Sequence, residues 1–232
     1  MLVCVCALGP ALGACGSTRL AQDADAHADA LAGSPVTHAA DPTSAGRIGA
    51  SVRAAQQAYN RETKGFKLHR ETDRIAGDPV LLGALGRGDT AGARAEAQAQ
   101  LLSPSNHFDH VTRISVTRGA RVLVNATLNS DGTFVDAPAT RDLVLHGRKL
   151  GTLLVSIQDV TGFVKLVHRR TLAEVLARGS SGQVRTSLPA AAHIALPQSG
   201  SVSVSGRRYT VRSFHEVGWG GEALTVWVLE RA

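Results

Sequence analysis

The sequence predicts an α+β chain, with N-terminal helices followed by one antiparallel sheet with a crossover helix. Three patterns predict it. Apolar residues recur at three- and four-residue spacing after Gly46. Alternating runs joined by short turns fill much of the chain from Val111 onward. One helical period interrupts those runs between Asp159 and Gly179. With 44% hydrophobic and 19% charged residues and a mean hydropathy of zero, most of the chain can bury a core, which excludes outright disorder and a polytopic membrane protein.

The helices come first. Ile48, Val52, Ala55 and Tyr59 share one helical face. Asp78-Pro79 starts a further helix, because Pro fits the first helical position and Asp caps the free amides. Asp89 caps another, closed by Ser103-Pro104. Val111–Thr117 and Arg121–Ala126 form a hairpin about Arg118-Gly119-Ala120, and Asp142–His146 with Leu150–Ile157 form a second about Gly147-Arg148. Leu153–Ile157 is apolar on both faces, as a central strand is, and is expected to be the most buried. Asp159 caps the crossover helix, with Phe163, Leu166, Val167, Leu172, Val175 and Leu176 on its inner face and Gly179 at its end. Short strands at 182–187, 201–205, 208–214 and 222–229 close the sheet.

All three cysteines, Cys4, Cys6 and Cys15, lie in the first fifteen residues, and the run from Leu2 to Ala14 is uncharged. It is far shorter than the ~20 residues a spanning helix needs. Its end, Leu12-Gly13-Ala14-Cys15, resembles the lipobox of bacterial lipoproteins, although the first basic residue is Arg19. The resemblance implies a signal peptide over 1–14 and lipidation of Cys15, which leaves no other cysteine for a disulfide. Residues 16–45 are rich in Ala, Asp, Ser and Gly and read as a flexible tether, so the expected boundaries are 15–45 for anchor and tether and 46–232 for the folded domain. The tether carries −3 of an overall +6, which places +9 on the domain. Only four of the 25 basic residues are lysines, a bias of GC-rich genomes; with 4% aromatics, this argues against a nucleic-acid partner.

The segments "HFDHVTRISVTRGARVLVN", "LVLHGRKLGTLLVSIQDVTGFVKLVHR" and "GRRYTVRSFHEVGWGGEALTVWVL" resemble, in order, the first hairpin, middle hairpin and closing strands of the Cache domain, an extracytoplasmic PAS-like sensor fold. The resemblance spans about 46–231. It implies a sensor-type module that binds a small metabolite in a pocket between the sheet and the loops after the first hairpin, without catalysis. No kinase or cyclase occurs within these 232 residues, so ligand capture, or presentation to a membrane signalling protein, is the expected role. The polar residues able to face such a pocket are Arg113, Asn125, Arg141, His146 and Tyr209. Asn125 stands where a carboxylate-binding subgroup has a basic residue, and the helical signature of the amino-acid-binding subgroup is missing, which leaves the ligand open.

No nucleophile elbow, phosphate loop or zinc-protease motif occurs, and neither cofactor nor metal is implied. His107-Phe108-Asp109-His110 has no third ligand cluster nearby and reads as a solvent-facing or capping stretch. Two other classes stay open: a cell-envelope interaction lipoprotein with a PAS-like sheet, and an enzyme on a cone-shaped scaffold pairing Asp109 with His146. The ligand-binding class requires a cavity between the sheet and 125–141, flanked by Arg113 and Arg141.

Overall fold

The computed structural model describes residues 42–104, 106, 110–128, 134 and 136–232, all within one compact unit. Cys15 and the tether through residue 41 lie outside the described residues, as do His107 and Asp109.

Helix α1 (Pro42–Lys64) starts four residues before the expected boundary. It breaks at Gly65, where a Cβ would sit 2.1 Å from the Arg61 carbonyl oxygen, so only glycine allows the chain to turn into α2 (Phe66–Ala76). In α3 (Pro79–Gly86) and α4 (Thr90–Leu102) the caps are those the sequence predicts. The Leu81 amide donates to Asp78 Oδ1 and the Gly92 amide to Asp89 Oδ1, both at 2.7 Å.

Strands β1 (Arg113–Arg118), β2 (Arg121–Thr127), β3 (Ala139–Leu145) and β4 (Arg148–Ser156) form an antiparallel sheet in the order β2-β1-β4-β3. Its strands alternate. Ile114, Val116, Val124, Leu143, Leu153 and Val155 turn to one face, where Leu68, Ile75, Leu81, Leu85 and Leu101 of α2–α4 cover them. Each fully buried leucine there contributes roughly 1.5–3 kcal/mol. Within the expected central strand Leu153, Val155 and Ile157 are buried as predicted, but Leu154 is half-buried because it turns to the opposite face.

Helix α5 (Val160–Thr171), capped by Asp159, leads into β5 (Glu174–Gly179) and a second antiparallel sheet. With β6 (Val184–Thr186), β7 (Ser199–Val204), β8 (Arg207–Val217) and β9 (Ala223–Arg231) the order is β6-β5-β9-β8-β7. Both faces of this sheet are filled. Tyr59 of α1 and Phe163 of α5, edge to face at 5.4 Å, pack with Val175, Val226 and Val228. On the other face Leu188, Ala191, Ile194 and Leu196 cover Leu176, Val211 and Leu229, and the Trp227 indole donates to the Pro197 carbonyl at 3.1 Å.

The single sheet predicted from sequence is therefore corrected to two. The crossover helix is also shorter than predicted. It stops where Leu172 takes a left-handed conformation (φ 60°), and Val175 and Leu176 belong to β5. That early stop starts a new strand, which pairs with β9 and not with β4.

Candidate ligand-binding face

The pleat that sends apolar residues of the first sheet to the helices sends polar ones to its other face. Paired rows across the strands carry Thr127, Arg113 and Ser156, then Asn125, Ser115, Leu154 and Thr140, then Thr117, Thr152 and Asp142. No helix of the described residues packs on this side. A cleft of about 480 Å³ opens on it between Thr117, Arg118, Gly119, Lys149, Gly151 and Thr152. Gly151 is needed there, because a Cβ would lie 2.7 Å from the Thr117 carbonyl oxygen of the adjacent strand.

At the far end of the face Arg113 donates from Nε to Asn125 Oδ1 at 3.1 Å, and its guanidinium lies 4.3 Å from the centre of the Trp219 ring. Partial burial lowers its pKa from the ordinary arginine value, yet it stays charged at neutral pH. Trp219 belongs to a short turn, Trp219–Gly221, at the tip of the β8–β9 hairpin. The second sheet thus supplies one wall of a site on the first.

Behind this tip the two sheets are stitched by polar contacts. The Tyr59 hydroxyl donates to the Val217 carbonyl at 2.6 Å and accepts from the Ala137 amide at 3.3 Å, while Asp136 bridges Gly218. The Asp136 carboxyl is fully buried, and neither of its oxygens has a hydrogen-bond partner among the described residues. Desolvation, with the nearby charges of Glu62, Asp159 and Glu216, pushes its pKa well above the usual carboxylate range. Burial also raises Glu216 and the Tyr59 phenol.

Of the five residues the sequence singles out, the structure brings two together, Arg113 and Asn125. Arg141 faces the helices instead and pairs with Asp73 of α2, its Nε donating to Asp73 Oδ1 at 2.6 Å. His146 sits exposed in the β3–β4 turn with φ 50°, far along the sheet from Arg113. Tyr209 is buried in the filled face of the second sheet. Arg113 and Arg141 lie on opposite faces of the sheet, and residues 129–133 and 135 of the segment expected to wall the cavity lie outside the described residues. Sequence reasoning misses Trp219, although its signal is present: a tryptophan inside Gly218-Trp219-Gly220-Gly221 cannot be a strand-core residue in that context. Among the described residues, no group of three His, Cys, Asp or Glu side chains converges on a metal-sized site, and no helix is long and apolar enough to cross a membrane.

No protein-family model matches the chain, and no curated protein matches it in sequence. Solved structures do match in fold. The periplasmic domain of LuxQ from Vibrio cholerae superposes with a TM-score of 0.51 at 10% identity, over 80% of this chain and all of that domain, and a second structure of it gives 0.52. The chain shares this fold. The sensory domain of the Campylobacter jejuni chemoreceptor Tlp3, solved with isoleucine bound, aligns over 84% of this chain at 10% identity with a TM-score of 0.41. The α+β class with N-terminal helices and antiparallel PAS/Cache-like sheets therefore stands.

Proposed function

We propose that this chain is an extracytoplasmic sensor-type module that binds a small metabolite on the open polar face of its first sheet and performs no catalysis. The observation that carries the reading is the asymmetry between the sheets. Both faces of the second are packed with apolar side chains, whereas one face of the first holds Arg113, Asn125, Thr140 and Thr152 with no helix of the described residues over it. A row of hydroxyls, an amide and a guanidinium held by Asn125 and Trp219 offers directional hydrogen bonds to a polar ligand with an anionic group. The sharing of fold with a periplasmic sensor domain supports the extracytoplasmic part. Lipidation of Cys15 would hold the module at the membrane surface, where a signalling protein could read its state.

One observation favours the interaction-protein alternative. Strand β7 is an edge strand with the uncharged sequence Ser-Gly-Ser-Val-Ser-Val, so its outer backbone groups are open to a strand from a partner. A thermal-shift screen of the full chain against amino acids, amines and di- and tricarboxylates separates the two. A ligand that binds only the folded state raises the melting temperature, by about 2.7 kcal/mol of stability at one hundred times Kd. A shift in the wild type that disappears in Arg113→Ala supports the ligand reading. No shift with any compound transfers the assignment to the β7 edge.

A further inference from the structure

We propose a second binding site, for a phosphate group, at the opposite end of the first sheet. A concave cleft of about 410 Å³ opens where the C-terminus of α3 meets the hairpin ends. Its walls carry Arg87, Arg118, Arg148 and Lys149 together with Leu85 and Gly88, and no acidic residue among the described residues lines it. It lies about 16 Å from Arg113, five residues along β1 at ~3.3 Å each.

Three features distinguish this cleft from a solvated basic surface. Two of its guanidinium groups are held by backbone carbonyls and not by carboxylates: Arg118 Nε donates to the Leu150 carbonyl at 2.8 Å and an Arg148 terminal nitrogen to the Gly86 carbonyl at 3.2 Å. Each keeps further N–H groups for a ligand, because a guanidinium has five donors. Among the described residues only Lys149 of the four has an acidic partner, Asp142 at 2.7 Å, and both members of that pair are more than half exposed.

The helix end is also neutralised in advance. The carbonyls of Gly83, Ala84 and Leu85 accept from the amides of Arg87, Asp89 and Gly88, and Arg148 takes Gly86, so the usual negative end of a helix is already satisfied. Gly88, at φ 75°, makes the turn that swings Arg87 into the wall. Finally, both hairpins carry a bulge toward these ends, with Leu123 the extra residue of β2 and Leu150 that of β4. The Leu150 bulge bends the end of β4 and re-aims its neighbour Lys149.

Four cations around one concavity call for an oxyanion of charge −2 or more, and guanidinium forks fit tetrahedral phosphate oxygens in pairs. That phosphate can arrive on a small diffusible molecule or on the headgroup of an anionic lipid. The probe for the first source is inorganic pyrophosphate, titrated by calorimetry into the full chain at low ionic strength; for the second it is sedimentation with phosphatidylglycerol vesicles against phosphatidylcholine vesicles. Saturable pyrophosphate binding assigns a diffusible ligand. Binding only to the phosphatidylglycerol vesicles assigns the lipid.

In either case the double variant Arg87→Gln/Arg148→Gln is expected to bind at least tenfold more weakly, and Arg113→Ala to bind as the wild type does. Because Arg148 also fastens Gly86, the single variant Arg87→Gln, which leaves that bond and the Arg118 bond intact, is expected to weaken binding at least threefold with an unchanged melting temperature. No binding to either probe would overturn the proposal, as would equal binding by Arg87→Gln, or citrate binding as tight as pyrophosphate.

Discussion

Replacing Asp136 by asparagine tests the polar junction between the sheets. The Asp136 carboxyl is fully buried without a hydrogen-bond partner among the described residues, and its pKa is pushed up by desolvation and by Glu62, Asp159 and Glu216. The folded state therefore holds a proton that the unfolded chain releases near the ordinary aspartate value. For an acid with a raised pKa, the stabilisation is complete below the unfolded pKa and is lost as pH rises toward the folded one. Over that interval each pH unit costs about 1.4 kcal/mol, and at roughly 2–4 °C per kcal/mol for a domain of this size the wild type loses roughly 3–6 °C per unit from this group. Glu216, also raised, adds in the same direction. Glu71 is opposed by burial, but the hydrogen bonds from Arg74 and Arg70 lower it on balance, so it acts only at more acid pH. The asparagine side chain has nearly the same shape and cannot ionise. The Asp136→Asn variant and the wild type are expected to melt together near pH 4 and to diverge as pH rises, with the variant higher at pH 8. Melting curves recorded by circular dichroism across pH 4–9 give the answer. Parallel profiles, or a variant that melts lower at pH 8, would refute the assignment of a buried neutral carboxyl to this position.

Other perturbations probe separate links. Leu153 is fully buried beneath the helices, so Leu153→Ala is expected to lose about 2.7–5 kcal/mol in urea unfolding; a loss under about 1 kcal/mol would contradict its central place. Arg141→Ala removes an exposed pair with Asp73 and is expected to change stability by less than about 1 kcal/mol and ligand response not at all, since it faces the helices. Cys15→Ser is expected to move the protein from the membrane fraction to the soluble one, and an unchanged distribution would remove lipidation from the account.

The parts of the fold legible in the sequence are those set locally. Asp78-Pro79, Asp89 and Asp159 cap helices by contacts within three residues, and hairpins about Gly119 and Gly147 are closed by their own turns. Sheet membership is not local. Val175 and Leu176 fit a helical spacing as well as a strand, and only their pairing with Val228 and Trp227, some fifty residues away, decides between them. The site divides the same way. Arg113 and Asn125 are legible as partners because a short hairpin joins them, whereas the face of Arg141 is not legible, because the parity of β3 is fixed by its register against β4 and not by its own residues. Trp219 reaches Arg113 from another sheet altogether.

The claim that the ligand occupies the helix-free face beside Arg113 can be read from tryptophan fluorescence. The chain has two tryptophans, Trp219 stacked on Arg113 and Trp227 buried beneath the 187–198 segment. In a Trp227→Phe background, Trp219 is the sole reporter at the edge of the site. Titration with whichever metabolite raises the wild-type melting temperature is expected to change its emission saturably, with the midpoint given by calorimetry, and to leave it unchanged in Arg113→Ala. A metabolite that stabilises the protein and is bound in calorimetry while the Trp219 emission stays constant would contradict this location of the site.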